Sequence, residues 1–91
     1  MSVTSEVIVE FFGVPRLRAG RSELRVAAGS VAEVLAQVER ACLGLVGLVG
    51  ADGRVAPHYL LSVDGQHFVT DLEAVIGTGR RLLLLSADAG G

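Results

Sequence analysis

The sequence predicts an α+β domain in which one amphipathic helix shields one face of a small mixed sheet. Three observations predict it. Strand-like runs occur on both sides of a single segment with helical periodicity. That segment opens on a capping pattern at Ser30 and Glu33, and an Asp64-Gly65 dipeptide marks a tight hairpin in the second half. The chain has 91 residues, one domain's worth, and is 51% hydrophobic and 20% charged, a balance that supports one small core and argues against disorder.

Taken in order, Glu6 to Phe12 is rich in β-branched and aromatic residues and stops at Gly13 and Pro15, so it reads as a strand. Apolar residues fall on both parities of the run, as in an interior strand covered on part of both faces. Arg16 to Gly20 reads as a connection. Ser22 to Ala27 alternates polar and apolar residues, the mark of a half-buried strand that completes a hairpin with the first.

A helix is expected from Ser30. Its hydroxyl can accept from a free N–H of the first turn while Glu33 reaches back, and Val31, Val34, Leu35, Val38 and Cys42 then form one apolar stripe. Gly44 is expected to stop the helix in a left-handed conformation. Gly44, Gly47, Gly50 and Gly53 recur every third residue through an apolar stretch, but no strand leads into them and no lysine follows. That spacing does not match a phosphate-binding loop, and the stretch reads as a crossover partly buried over the core.

Tyr59 to Val63 and Gln66 to Val69 flank Asp64-Gly65 as the two arms of a second hairpin. Asp71 to Ile76 reads as a short helical turn or bend, and Arg80 to Leu85 as the final strand. Residues 1–85 then form the folded domain. Residues 86–91, small and ending in Gly90-Gly91, form a flexible tail that would lose backbone entropy and bury little if fixed.

Composition removes several function classes. Net charge is −2, with eight cationic side chains, all arginine, so the basic excess that drives phosphate-backbone binding is missing and nucleic acid is not the expected ligand. No apolar run approaches the roughly 20 residues that cross a bilayer. The single cysteine, Cys42, has no partner for a disulfide and reads as a buried structural thiol, which fits a cytoplasmic protein. His58 and His67 lack ligand-like companions, so no metal site is expected.

Phe11-Phe12 in the first strand, Arg16-Leu17-Arg18-Ala19-Gly20 after it, the capped helix at Ser30, Val63-Asp64-Gly65 at the hairpin, Gly79 before the last strand and Ala89-Gly90-Gly91 at the end occur in one order. In that order and at this length the chain resembles the ubiquitin-like β-grasp sulfur carriers of the MoaD/ThiS family, which includes the small subunit of molybdopterin synthase. The resemblance covers nearly the whole chain and implies a mixed four- to five-stranded sheet packed on one main helix. Two positions depart from the family's pattern. Arg80 stands where members often carry an acidic residue, and Leu84-Leu85-Ser86 where a proline is common.

The resemblance implies a carrier rather than an enzyme, one that binds no cofactor itself. Its Gly91 carboxylate would be adenylated by a ubiquitin-activating-type enzyme using ATP and converted to a thiocarboxylate. A sulfur-accepting biosynthetic enzyme, such as a molybdopterin synthase large subunit, would then take the sulfur. Gly90 and Gly91 suit that chemistry because they present a carbonyl without Cβ bulk and can thread a narrow channel. Asp88 and Ala89 in the tail, Phe12, Leu60 and Phe68 on a sheet patch, and Arg80 are the candidate partner contacts; core packing of Phe12, Leu60 and Phe68 is equally consistent with the sequence. A modifier joined to other proteins through Gly91 and a non-reactive β-grasp interaction module are the competing readings.

Overall fold

Strand β1 (Glu6–Phe11) buries alternate residues, with Val7, Val9 and Phe11 turned into the core and almost fully covered. This is one half-turn per residue of pleat, and it places Glu6, Ile8 and Glu10 on the opposite face. A computed structural model describes residues 5–87. Asp88, Ala89, Gly90 and Gly91 lie outside the described residues, and so does the reactive tail expected there.

The segment read as a connection contains a helix, α1 (Val14–Ala19). Pro15 sits in its first turn, where no N–H is needed, and Gly20 closes it in the left-handed conformation with its N–H bonded to the Arg16 carbonyl. Strand β2 (Glu23–Ala27) returns antiparallel to β1, pairing Glu6 with Ala27 and Glu10 with Glu23.

A two-residue strand, β3 (Gly29–Ser30), leads into the main helix α2 (Val31–Ala41). The capping box forms as the sequence predicts: Glu33 N–H donates to Ser30 Oγ at 3.1 Å, and Ser30 N–H donates to Glu33 Oε1 at 2.9 Å. Val31 N–H and Ala32 N–H donate to the carbonyls of Ala74 and Leu72, so the returning chain satisfies two further donors of the helix end. Val31, Val34, Leu35 and Val38 are fully buried and Cys42 nearly so, which makes the predicted stripe the helix's core face.

Gly44 does not end α2. The helix ends at Ala41 with extended backbone at Cys42, and Gly44 lies inside a 3-10 turn (Leu43–Leu45) without a left-handed φ. Glycine stands there for a different reason: a Cβ would collide with the carbonyl oxygen of Arg18 on α1. The crossover beyond it is partly buried as expected. Leu45 and Leu48 enter the core, and Glu39 of α2 accepts from Gly47 N–H and Val49 N–H at 3.2 Å each.

The second hairpin joins β4 (Tyr59–Val63) to β5 (His67–Phe68) through Asp64 and Gly65, both at positive φ, as a tight Asp-Gly turn requires. The stretch read as a turn or bend does turn at Leu72 and Glu73, then forms strand β6 (Val75–Ile76), which pairs with β3. Its two residues, like those of β3, are too few to show a period-2 pattern. The final strand β7 (Arg81–Ser86) runs one residue further than expected and ends on a buried Ser86.

The main sheet has the order β2-β1-β7-β4-β5, with β1 and β7 parallel at its centre and the other pairs antiparallel. The core lies between this sheet and α2, and the other sheet face is left open.

Candidate functional site

Strand alternation fixes what the open face carries. Ile8 pairs with Arg25 and Arg81, Glu10 with Glu23 and Leu83, Leu60 with Leu85, and Ser62 with Leu83 and Phe68. These residues share one face because directly opposed residues of a ladder point the same way. Phe12 continues the row: its N–H donates to the Leu84 carbonyl at 3.0 Å, which sets it beside Leu85.

The open face is divided by charge. Toward β2, Arg81 reaches Glu10 at 3.1 Å and Glu23 at 3.9 Å, and Arg25 reaches Glu6 at 3.9 Å, so cations and carboxylates offset one another. Toward β4 and β5 the face is apolar. Phe68 is 66% exposed, Phe12 and Leu60 about 40%, and Leu83 and Leu85 are half-buried between them. The sequence leaves Phe12, Leu60 and Phe68 between a sheet patch and the core, and the structure brings all three to this face. Leu83 and Leu85 were read only as a strand. Their partners in register, Ser62 and Leu60, mark them as part of the band.

Beside the band a groove of about 510 Å³ runs between β4 and the crossover, lined by Val55, Pro57, Leu60, Phe68 and Thr70 among others. Its crossover wall, Val55 to Pro57, carries no pattern that sequence reading would single out.

At one end of this face the described chain leaves the sheet. Ala87 N–H donates to the His58 carbonyl at 2.8 Å, extending the β4–β7 ladder past Ser86. The His58 and Tyr59 rings meet there with centroids 4.2 Å apart and planes tilted by 47°, and Arg18 of α1 donates to Tyr59 Oη at 3.4 Å. Phe12 borders the same end. The tail candidates Asp88, Ala89, Gly90 and Gly91 follow in the sequence, outside the described residues.

Arg80 is not part of this arrangement. It precedes β7, about 20 Å from Ser86 at 3.3 Å per residue, and its guanidinium pairs with Asp64 at 2.7 Å. Arg81 N–H also donates to Asp64 Oδ1 at 2.9 Å. That backbone bond first, and the Arg80 guanidinium second, hold the Asp64 carboxyl below the ordinary carboxylate range.

Cys42, just past the end of α2, is buried away from solvent. Among the described residues no cluster of His, Cys, Asp or Glu could hold a metal ion, and no helix is long and apolar enough to cross a membrane.

A mixed sheet with parallel central strands and one main helix across it define the ubiquitin-like β-grasp fold. Solved structures share it over their full length. SAMP1 from Haloferax volcanii is 23% identical, with 94% of this chain and 99% of that one covered at a TM-score of 0.79. A chain of the BexX/CysO complex of Amycolatopsis orientalis is 24% identical, with 93% and 99% covered at 0.78. In the complex of subunits 1 and 2 of molybdopterin-converting factor from Helicobacter pylori the figures are 21%, 94% and 99% at 0.65. No protein-family model and no curated protein sequence matches the chain. The resemblance to the MoaD/ThiS carriers read from the sequence therefore holds as a likeness of fold.

Proposed function

We propose that this protein is a sulfur carrier whose reactive group is the carboxylate of Gly91. The observation that carries this reading is where β7 ends. The central strand β7 runs out beside an exposed apolar band, and the residues that follow Ala87 are Asp88, Ala89, Gly90 and Gly91. A partner that grips the band sits beside the end of β7, the strand that Asp88 to Gly91 follow in the sequence. The fold likeness to a chain of the BexX/CysO complex and to molybdopterin-converting factor supports the same reading, since both are solved as complexes of two proteins.

The chemistry asks little of the carrier. A Gly91 carboxylate oxygen attacks the α-phosphorus of ATP on an adenylating enzyme, and pyrophosphate leaves. Hydrosulfide, or a donor equivalent to it, then attacks the acyl carbon; the C–O bond breaks, AMP leaves, and a proton is released as the thiocarboxylate forms. The thiocarboxylate sulfur attacks an electrophilic carbon of the substrate held by the accepting enzyme, and the bond from that carbon to its leaving group breaks, the group departing with the electron pair. Water then cleaves the acyl–sulfur bond, which returns the Gly91 carboxylate and leaves sulfur on the product. Every catalytic group belongs to the partners, so the chain acts as a co-substrate. The acceptor is an enzyme of molybdopterin-type or related sulfur-requiring biosynthesis, and the protein works in the cytoplasm.

A second reading has one observation in its favour: the name of the Haloferax volcanii protein expands to small archaeal modifier protein, and its fold is shared. In that reading Gly91 forms an isopeptide bond with lysines of other proteins. Incubation with a ubiquitin-activating-type enzyme and ATP, followed by ATP–pyrophosphate exchange, tests the step both readings share. Exchange is expected with the native sequence and none with a chain extended past Gly91. Equal exchange by both overturns the assignment of Gly91.

A further inference from the structure

Strand β2 is an outer edge of the main sheet, and its hydrogen-bonding parity is set by its ladder with β1. Ala28 N–H donates to the Ser5 carbonyl and Phe11 N–H to the Ser22 carbonyl, so the even-numbered residues of β2 bond inward to β1. Glu23, Arg25 and Ala27 turn their N–H and C=O groups outward. At Ala27 those groups are taken: its N–H donates to Gln37 Oε1 at 2.8 Å, and its carbonyl accepts from Gln37 Nε2 at 3.0 Å. One amide of α2 thus stands in for a neighbouring strand and closes that end of the edge. Glu23 and Arg25 keep an open row of donors and acceptors, which no hydrogen bond among the described residues occupies.

The side chains along this row are self-complementary. Glu23 and Arg25 are exposed on the open face, and their ion contacts within the chain, Glu23 with Arg81 and Arg25 with Glu6, are 3.9 Å long. Neither contact is a hydrogen bond at that distance. Leu24, half-buried, faces the helix side and lines a groove of about 340 Å³ between β2 and α2. Antiparallel pairing of this edge with itself requires outward residues to meet outward residues. Centred on Arg25, it opposes Arg25 to Arg25 and sets Glu23 against the Ala27 that Gln37 already holds. Centred on Glu23, it opposes Glu23 to Glu23 and Arg25 to Arg21. Centred on Leu24, it opposes Glu23 to Arg25 twice. Only this last register joins free backbone to free backbone and unlike charges to each other.

We propose that two copies of this chain associate through β2, in the register that pairs Glu23 of one with Arg25 of the other about a two-fold axis at Leu24. Each Glu23 and Arg25 pair exchanges two backbone hydrogen bonds, because directly opposed outward residues share both N–H and C=O groups. The two Leu24 side chains meet at the axis on the helix side. Exposed Arg40 borders the groove there and holds its charge in water at the end of a long apolar stem. The contact is isologous, so it closes at two copies. It joins two five-stranded sheets edge to edge and puts both open faces on one side, since opposed residues of a ladder share a face. The apolar band toward β4 and β5 stays uncovered at the far edge of each sheet. The pairing is independent of the chemistry at Gly91, and a contact this small makes a transient dimer.

Sedimentation velocity of the full chain from about 10 μM to about 1 mM, the range in which weak association is read, tests the pairing. The native chain shifts from monomer toward dimer. Arg25→Glu opposes carboxylate to carboxylate and Glu23→Arg opposes guanidinium to guanidinium, and each weakens association about tenfold. The two changes together restore opposite charges across the axis and return association to within about threefold of native. A purely structural effect of the single changes would not be rescued in this way, and thermal melting confirms that each variant folds. Phe68→Ser, on the opposite edge strand, leaves association unchanged. A native chain that stays monomeric to about 1 mM overturns the proposal. So does a dimer that Phe68→Ser dissociates, one that neither single charge change weakens, or one that the double exchange fails to restore.

Discussion

Asp64 Oδ2 accepts a hydrogen bond from the Arg80 guanidinium at 2.7 Å, while Asp64 N–H and the Arg81 carbonyl meet at 2.8 Å and Asp64 Oδ1 takes the Arg81 N–H. One side chain at a hairpin turn thus fixes the start of the central strand. It also accounts for the basic residue at a position where the resembling family often has an acidic one. Arg80 complements the carboxylate of the turn rather than a partner at the far end of β7.

The Asp64 carboxyl is held below its ordinary range in the folded state. A lowered folded pKa contributes stability above the unfolded value, about 3.9, and that contribution is lost as pH falls through the folded value. Thermal midpoints followed downward from neutral pH should therefore separate native protein from Asp64→Asn, with the variant's curve flatter below about pH 4. Asparagine keeps the turn conformation, so parallel curves would mean that the carboxylate does not carry this acid sensitivity.

Gly44→Ala should destabilise the fold by about 1 to 3 kcal/mol, because backbone must move to admit the methyl group. Gly77→Ala meets nothing within 4 Å and lacks a left-handed φ. It should be neutral or stabilising by about 0.5 kcal/mol through the unfolded chain. Urea unfolding of the two variants separates close approach from generic glycine flexibility. Equal effects would contradict the packing of α1 against the 3-10 turn.

Ser30→Ala removes the acceptor for Glu33 N–H at 3.1 Å and should cost about 1 kcal/mol, read from the urea midpoint at constant slope. A change near zero would show that the carbonyls of Ala74 and Leu72, which hold the neighbouring N–H groups, suffice to cap α2.

The elements that the sequence predicts well are those with a long repeating pattern or a strong local signal. The α2 stripe from Val31 to Cys42, the Ser30 cap and the Asp64-Gly65 turn are all legible because each depends on neighbours in the chain. Strands β3 and β6 are not, since Gly29-Ser30 and Val75-Ile76 pair across the fold and are two residues each. Helix α1 had its signals, Pro15 in the first turn and Gly20 after the last, but six residues hold too little periodicity to outweigh the surrounding glycines. The sequence leaves Phe12, Leu60 and Phe68 as consistent with core packing as with a sheet patch, and only the strand register settles that they share the open face. The packing of α1 on the 3-10 turn depends on a contact between distant segments, Arg18 with Gly44, that no local pattern announces.

If the apolar band receives the sulfur-accepting enzyme, Phe68→Ser should weaken that complex about tenfold while changing stability by less than about 1 kcal/mol, since the ring is 66% exposed on an edge strand. Titration calorimetry with the accepting enzyme checks it. Unaltered affinity would move the docking surface off the open face.

The most direct test of the central claim is the intact mass of the full chain after incubation with ATP, a hydrosulfide source and the adenylating enzyme. The carrier reading predicts a gain equal to one oxygen replaced by sulfur, localised by fragmentation to Gly91 and absent without ATP. An unchanged mass in the presence of an enzyme that performs pyrophosphate exchange on this chain would contradict it.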